Sequence, residues 1–283
     1  MRSNDIDPKL LEQFKLLPTG KVNVSFSEVK TWHDCPWRHK LQNIDKIDLN
    51  KPGIALDFGT SMHAAHEQFI NTNQMSPDVF VKMLHELWAE HEKVLPDTFT
   101  VDAFKSYAMT GKLILSEVEA FYSEQFPGWK PVAAEYPLFE QIPDYPHAFK
   151  GFIDAIISVP HPKHKDKRIY WILDVKTTSW GWPIEKKQDA MIRAQLILYK
   201  HFWSHKENVN PRDIKCGFLL FKRIAKPGNR LELFPVSVGD TTTQRAINVV
   251  QNMLKIVKRG KFIKNRLSCD FCQYRDTPHC GWV

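Results

Sequence analysis

The stretch Arg168-Ile-Tyr-Trp-Ile-Leu-Asp-Val-Lys-Thr-Thr-Ser179 decides how the rest of the chain reads. Aromatic and branched residues dominate Ile169 to Val175, which predicts a strand buried on both faces. Strand alternation sets Asp174 and Lys176 on one side and Val175 on the other. A carboxylate beside an ammonium at the end of a buried strand is costly unless both ions have partners or work to do. The spacing alone is weak, because Asp7-Pro-Lys9, Asp213-Ile-Lys215, Glu28-Val-Lys30 and Glu185-Lys-Lys187 share it. Only the Asp174 copy ends a long apolar run that follows a second acidic strand. Taken alone, the pair also reads as an ion pair where a strand emerges into solvent.

That second strand is Ala148-Phe-Lys-Gly-Phe-Ile-Asp-Ala-Ile-Ile-Ser-Val159, joined to the first by a loop rich in His, Lys and Pro over 160–167. The short connection predicts an antiparallel hairpin with Asp154 and Asp174 on neighbouring strands. Before it, Val132 to Phe139 reads as a strand. Its Glu135 reads as a strand-edge charge, with an outer-shell role at a site as the other reading. After it come a helix over Gln188–Trp203, a strand over Lys215–Ile224, a turn at Pro227-Gly-Asn-Arg230, and a strand over Leu231–Val238. A long amphipathic helix over Thr241–Arg259 follows.

Toward the N-terminus, residues 1–22 read as an extension, a helical turn plus linker. Ser25-Phe-Ser-Glu28 has the capping-box pattern of a helix start, and Pro36 predicts a break after Cys35. A second short helix follows over 37–44. Another begins near Gly59, placing Gly59, His63 and His66 or Glu67 on one face. Residues 77–126 are helical in period and read as an insertion.

The composition excludes several classes. The chain has 283 residues, 43% hydrophobic and 25% charged, with 18 prolines and nine tryptophans, which describes a globular protein rather than a disordered one. No apolar run approaches the roughly 20 residues that span a bilayer. No secretory signal opens the sequence, so a cytoplasmic location without membrane is expected. A net charge of +7 and a pI of about 9.0 favour a polyanionic partner. Basic clusters occur at 163–168, 186–187, 222–230 and 255–266, and each reads more readily as a solvated loop or helix face than as a phosphate track. Of five cysteines, three fall in the last fifteen residues, unlike a secreted disulfide framework. Cys216, in an apolar strand, reads as a core thiol.

In order, Gly59-x3-His63, Gly151-Phe-Ile-Asp154, Asp174-Val-Lys176 and Gln195-x3-Tyr199 resemble the RecB-like branch of the PD-(D/E)XK nuclease superfamily. The resemblance runs from about Ser25 to the C-terminus. It implies an α/β, restriction-endonuclease-like core, a mixed central sheet flanked by helices, in a single nuclease domain over 23–283. It also implies His63, Asp154, Asp174 and the Val175 backbone carbonyl as ligands of Mg²⁺ or Mn²⁺. Oxygen donors suit both ions, and an imidazole tilts preference toward Mn²⁺. Lys176 would orient or deprotonate the attacking water, with Gln195 positioning Lys176 or that water and Tyr199 touching substrate, so that Asp154, Asp174, Lys176, Gln195 and Tyr199 form the catalytic set. The implied activity is metal-dependent hydrolysis of DNA, an exonuclease acting on single strands or ends. The alternative is a non-catalytic nucleic-acid-binding or assembly protein that keeps the fold. Trp180 and Trp182 are the tryptophans placed to stack bases.

The remaining signature is Cys35 with Cys269-Asp-Phe-Cys272-x7-Cys280. Four such thiols in an intracellular chain imply metal more than disulfide, either a [4Fe–4S] cluster or a structural Zn²⁺. The same resemblance places one cysteine before the core and three after it, an Fe–S staple joining the N- and C-terminal regions. The x7 gap departs from the shorter family spacing and leaves His279 as an alternative to Cys280.

Overall fold

The structure is a computed structural model that describes residues 11–270 and 272–281. The opening ten residues of the expected N-terminal extension lie outside the described residues. In chain order the elements are β1 (Asn23–Ser25), α1 (Phe26–Asp34), α2 (Pro36–His39), α3 (Ile54–Thr72), α4 (Pro77–His91), α5 (Val101–Leu115), α6 (Val118–Gln125), β2 (Lys130–Gln141), β3 (Ala148–Pro160), β4 (Arg168–Thr178), α7 (Ile184–Gln188), α8 (Ala190–Lys206), β5 (Ile214–Lys222), β6 (Leu231–Val236) and α9 (Asp240–Lys258).

Two compact units emerge. One comprises Pro52–Tyr136 and Phe152–Val238. Its sheet is mixed: β3 and β4 pair antiparallel, β4 and β5 parallel, β5 and β6 antiparallel. The parallel step is possible because α7 and α8 carry the chain back between β4 and β5. Residues 172–175 of β4 are all buried, as the apolar run requires. On one face, Ala155, Ile157, Leu173, Val175, Leu219 and Phe221 join the apolar sides of α3 to α6 in a single core. On the other, α8 packs on β4 and β5, and the buried Cys216 thiol donates weakly to the Leu196 carbonyl at 3.8 Å. Asp189 ends α7 and caps α8, accepting from the Met191 and Ile192 amides, so the helix expected over Gln188–Trp203 begins at Ala190 and is preceded by a separate short helix.

The other unit gathers three discontinuous segments: the chain up to Lys51, Pro137–Gly151, and the part from Gly239 on. Here β1 runs parallel to the opening of β3, with Asn23, Val24 and Ser25 opposite Ala148, Phe149 and Lys150. Ser25 accepts from the Glu28 amide at 3.3 Å and starts α1. The second half of the expected capping box does not form: the Glu28 carboxylate meets buried His39 at 3.0 Å instead. Pro36 restarts the helix after Cys35, and α2 runs into a π-helical turn over Lys40–Ile44. α9 packs against α1.

Candidate active site

Antiparallel pairing sets Ala155 opposite Leu173, and one further step brings Asp154 opposite Asp174. Asp154 Oδ2 accepts from the Val175 amide at 2.6 Å, which fixes its carboxylate against the β4 backbone. Asp174 is only 1% exposed. Its Oδ2 lies 2.6 Å from Lys176 Nζ, and its Oδ1 accepts from Gln195 Nε2 at 2.6 Å. The same amide nitrogen reaches Tyr199 Oη at 3.3 Å, one helical turn along α8.

His63 enters from α3, which lies close to β4. A Cβ added at Gly59 would meet Thr177 Oγ1 at 3.3 Å, so glycine suits this contact. His63 Nδ1 is 3.4 Å from Asp154 Oδ2, and the Val175 backbone lies within hydrogen-bonding reach of the ring. The structure thus brings His63, Asp154, Asp174, Val175, Lys176, Gln195 and Tyr199 to one place. His66 is elsewhere, buried against Tyr122 Oη at 2.6 Å.

Glu135 is the residue that sequence reading set aside. Ligand atoms of His63, Glu135 and Asp154 all lie within 4.8 Å of one another. Glu135 has φ +46° in the middle of β2, a left-handed conformation that costs a non-glycine residue about 1–2 kcal/mol. Such residues gather at functional sites, where they re-aim a side chain. An isolated glutamate in a strand carries no sequence signal of its backbone angle.

The charges explain what the site wants. Burial, and then the charge of Asp174, hold the Asp154 carboxyl well above its usual range. Burial also raises Glu135, helped by Glu67 and Asp174. Burial pulls Lys176 down, but Asp174 and Asp154 outweigh it and keep its ammonium protonated. His63 is lowered, chiefly by burial, so its imidazole is neutral near pH 7 and has a lone pair to give. Burial and Asp174 keep the Tyr199 phenol un-ionised. More negative charge is buried here than Lys176 alone offsets. A neutral imidazole with crowded carboxylates is a donor set that fits a divalent cation.

Of the two tryptophans beyond β4, Trp180 is 73% exposed. Trp182 is not available to a base, since its ring is buried against Phe218 under the Lys186 ammonium.

The four cysteines form a separate constellation within the discontinuous unit. Cys35, Cys269, Cys272 and Cys280 are free thiols that line one recess with Trp37, Arg38, Lys264, Asn265 and Tyr274. The Asn265 amide donates to Cys35 Sγ at 3.4 Å, and the Asn265 side chain donates to the Asp34 carbonyl at 2.8 Å. Burial raises the Cys280 thiol; Lys264 opposes this, while the other three cysteines add to it. His279 is not among the recess residues; its carbonyl accepts from Trp37 Nε1 at 3.2 Å.

The chain as a whole is similar to known proteins. A sequence model of the PD-(D/E)XK nuclease superfamily matches residues 23–277. No curated protein matches the chain. Among solved structures, a "Putative exonuclease" from Eubacterium rectale superposes with a TM-score of 0.56 at 14% identity, covering 97% of this chain and 93% of that one. At that identity the likeness speaks for the fold: an α/β, restriction-endonuclease-like core with a mixed sheet flanked by helices.

Proposed function

Because the chain belongs to the PD-(D/E)XK nuclease superfamily, we propose that it is a RecB-like, divalent-metal-dependent exonuclease acting on single-stranded DNA or DNA ends. The observation that carries this reading is the convergence of Asp154, Asp174 and Lys176 with His63 at the end of the β3–β4 pair. Superfamily members use divalent metals and act on nucleic acid. Here His63, Asp154, Asp174 and the Val175 carbonyl would hold Mg²⁺ or Mn²⁺, with Glu135 directly or through water. When bound, the ion supplies Lewis-acid stabilisation of the phosphate and a water acidic enough to attack it.

The chain's own residues do the remainder. Lys176, held as an ammonium between two carboxylates, orients the water and offsets charge building on the phosphate oxygens. Its protonation favours this role over deprotonating the water. Gln195 fixes Asp174 in one rotamer through Oδ1, and Tyr199 in turn braces Gln195. Trp180, exposed four residues beyond Lys176, is placed to stack a base.

For the cysteine recess we favour a [4Fe–4S] cluster over zinc. Four thiolates suit either centre, and the RecB-like resemblance, with one cysteine before the core and three after it, favours the cluster.

The test uses anaerobically purified protein, end-labelled single-stranded and duplex DNA, and Mn²⁺ or Mg²⁺. Wild type should degrade DNA only with metal, and Asp174→Ala should reduce the rate at least 10³-fold. Single-nucleotide products from one labelled end would give polarity. No cleavage by wild type with its metal sites filled would replace this reading with a nucleic-acid-binding protein that keeps the fold.

A further inference from the structure

A second recess, distinct from that of the cysteines, lies within the discontinuous unit and carries basic side chains on partly apolar walls. Its walls come from the segment Lys15–Pro18, the turn Asp144–His147 and the last turn of α9, which contributes Lys255 and Lys258, with Arg259 following. The walls are tied together: the Lys15 amide donates to the Pro146 carbonyl at 2.8 Å, and Gln251 Nε2 on α9 donates to the Pro143 carbonyl at 2.8 Å.

Lys15, Lys255, Lys258 and Arg259 are exposed and form no ion pair among the described residues. One carboxylate, Asp144, lies at the rim. Lys255 and Lys258 by themselves would be an ordinary complement to a helix C-terminus. Lys15 is not, since it reaches the same recess from a different segment. Nor is His147, which is only 7% exposed yet keeps Nδ1 buried without a hydrogen-bond partner. Burial, then Lys258 and Lys15, keep its imidazole neutral. A buried, unpartnered ring nitrogen beneath converging cations is a costly arrangement unless something polar binds there. Tyr145, on the same turn, adds an aromatic face.

We propose that this recess binds the phosphodiester backbone of a nucleic-acid strand, with Lys15, Lys255, Lys258 and Arg259 neutralising phosphates and Tyr145 flanking a base. The proposal rests on the nuclease reading for its choice of a polynucleotide over a free phosphate, and it adds a binding track that the catalytic carboxylates do not provide. Single-strand tracks elsewhere combine a basic groove with aromatic faces in this way.

The experiment measures anisotropy of a labelled oligothymidylate about twenty nucleotides long, without divalent metal, against wild type, Lys15→Ala/Lys258→Ala and Lys15→Arg/Lys258→Arg. Both lysines are exposed, so thermal melts of all three should coincide. The alanine pair should bind about tenfold more weakly and lower the slope of log K against log salt by about 1.4, two phosphates at about 0.7 each. The arginine pair should retain both affinity and slope. Equal binding by the alanine pair overturns the proposal. So does calorimetric binding of inorganic phosphate that needs the lysines while oligonucleotide affinity stays unchanged, which would make this a small-anion site. Because binding is read without metal, failure of the cleavage test leaves this result standing, and the reverse also holds.

Discussion

Asp174 is almost wholly out of water: its Oδ1 accepts from Gln195, while its Oδ2 faces the Lys176 ammonium at 2.6 Å as an ion pair and makes no hydrogen bond. The carboxylate is thus held in place with a lone pair left for a cation, beside the donors His63, Asp154 and Glu135. Glu135→Gln keeps the shape and removes the charge. It should weaken Mn²⁺ binding by about 10- to 100-fold, read by the loss of the free-ion EPR signal on titration, without moving the melt by more than a degree or two. Unchanged Mn²⁺ affinity would return Glu135 to a strand charge. The pairing of Asp154 with Asp174 was legible because a short loop and two alternating strands leave few registers open. Glu135 was not, because its role depends on a φ of +46° that residue type does not encode. Trp182 misled for a related reason: a position just beyond β4 does not reveal that Phe218 lies against its ring.

At the scale of elements, α3 shows how one helix serves two ends. His63 faces the carboxylates, while His66, three residues on, is sealed against Tyr122 of α6, tilted against Phe69 and edge-on to Phe221. Burial pulls the His66 pKa from 6.5 to about 3, with His63 a lesser contributor. A folded pKa below the unfolded one means that the unfolded chain takes up the proton first. The neutral ring's contribution is therefore present above pH 6.5 and lost as pH falls toward 3. His66→Gln should cost stability at pH 7, and that deficit should narrow by about 1.4 kcal/mol per pH unit below about pH 6 in paired melts. A deficit independent of pH would show that the ring is not held neutral. The helix itself was legible, although it starts at Ile54 rather than near Gly59, and Gly59 stood out from its place about one turn before His63. The π-helical turn after α2 and the break at Asp189 were not, since each depends on local hydrogen bonds that a 3.6-residue period does not distinguish.

At the scale of the molecule, strands β2 to β6 were legible from their apolar runs, whereas the three-residue β1 and its parallel pairing with β3 were not. Nor was the two-unit partition, because one unit is assembled from three separated segments. The cysteines belong to that unit. Anaerobic protein should be brown and carry iron and acid-labile sulfide in equal amounts. Cys35→Ser should lose both and lower the melting temperature on the order of 10 °C. Colourless protein with one tightly held zinc would put zinc in the recess instead. The contact between the Asn265 amide and the Cys35 sulfur spans 230 residues of chain. During synthesis the β3–β4 hairpin, with its two aspartates, can close soon after it leaves the ribosome. The fourfold thiol recess has no such early form, for Cys35 must wait until residues 36–280 have been made. Whatever fills that recess is therefore added only after the carboxylate strands exist, and a ribosome that stalls between Lys176 and Cys269 releases a chain with both aspartates and no recess to load.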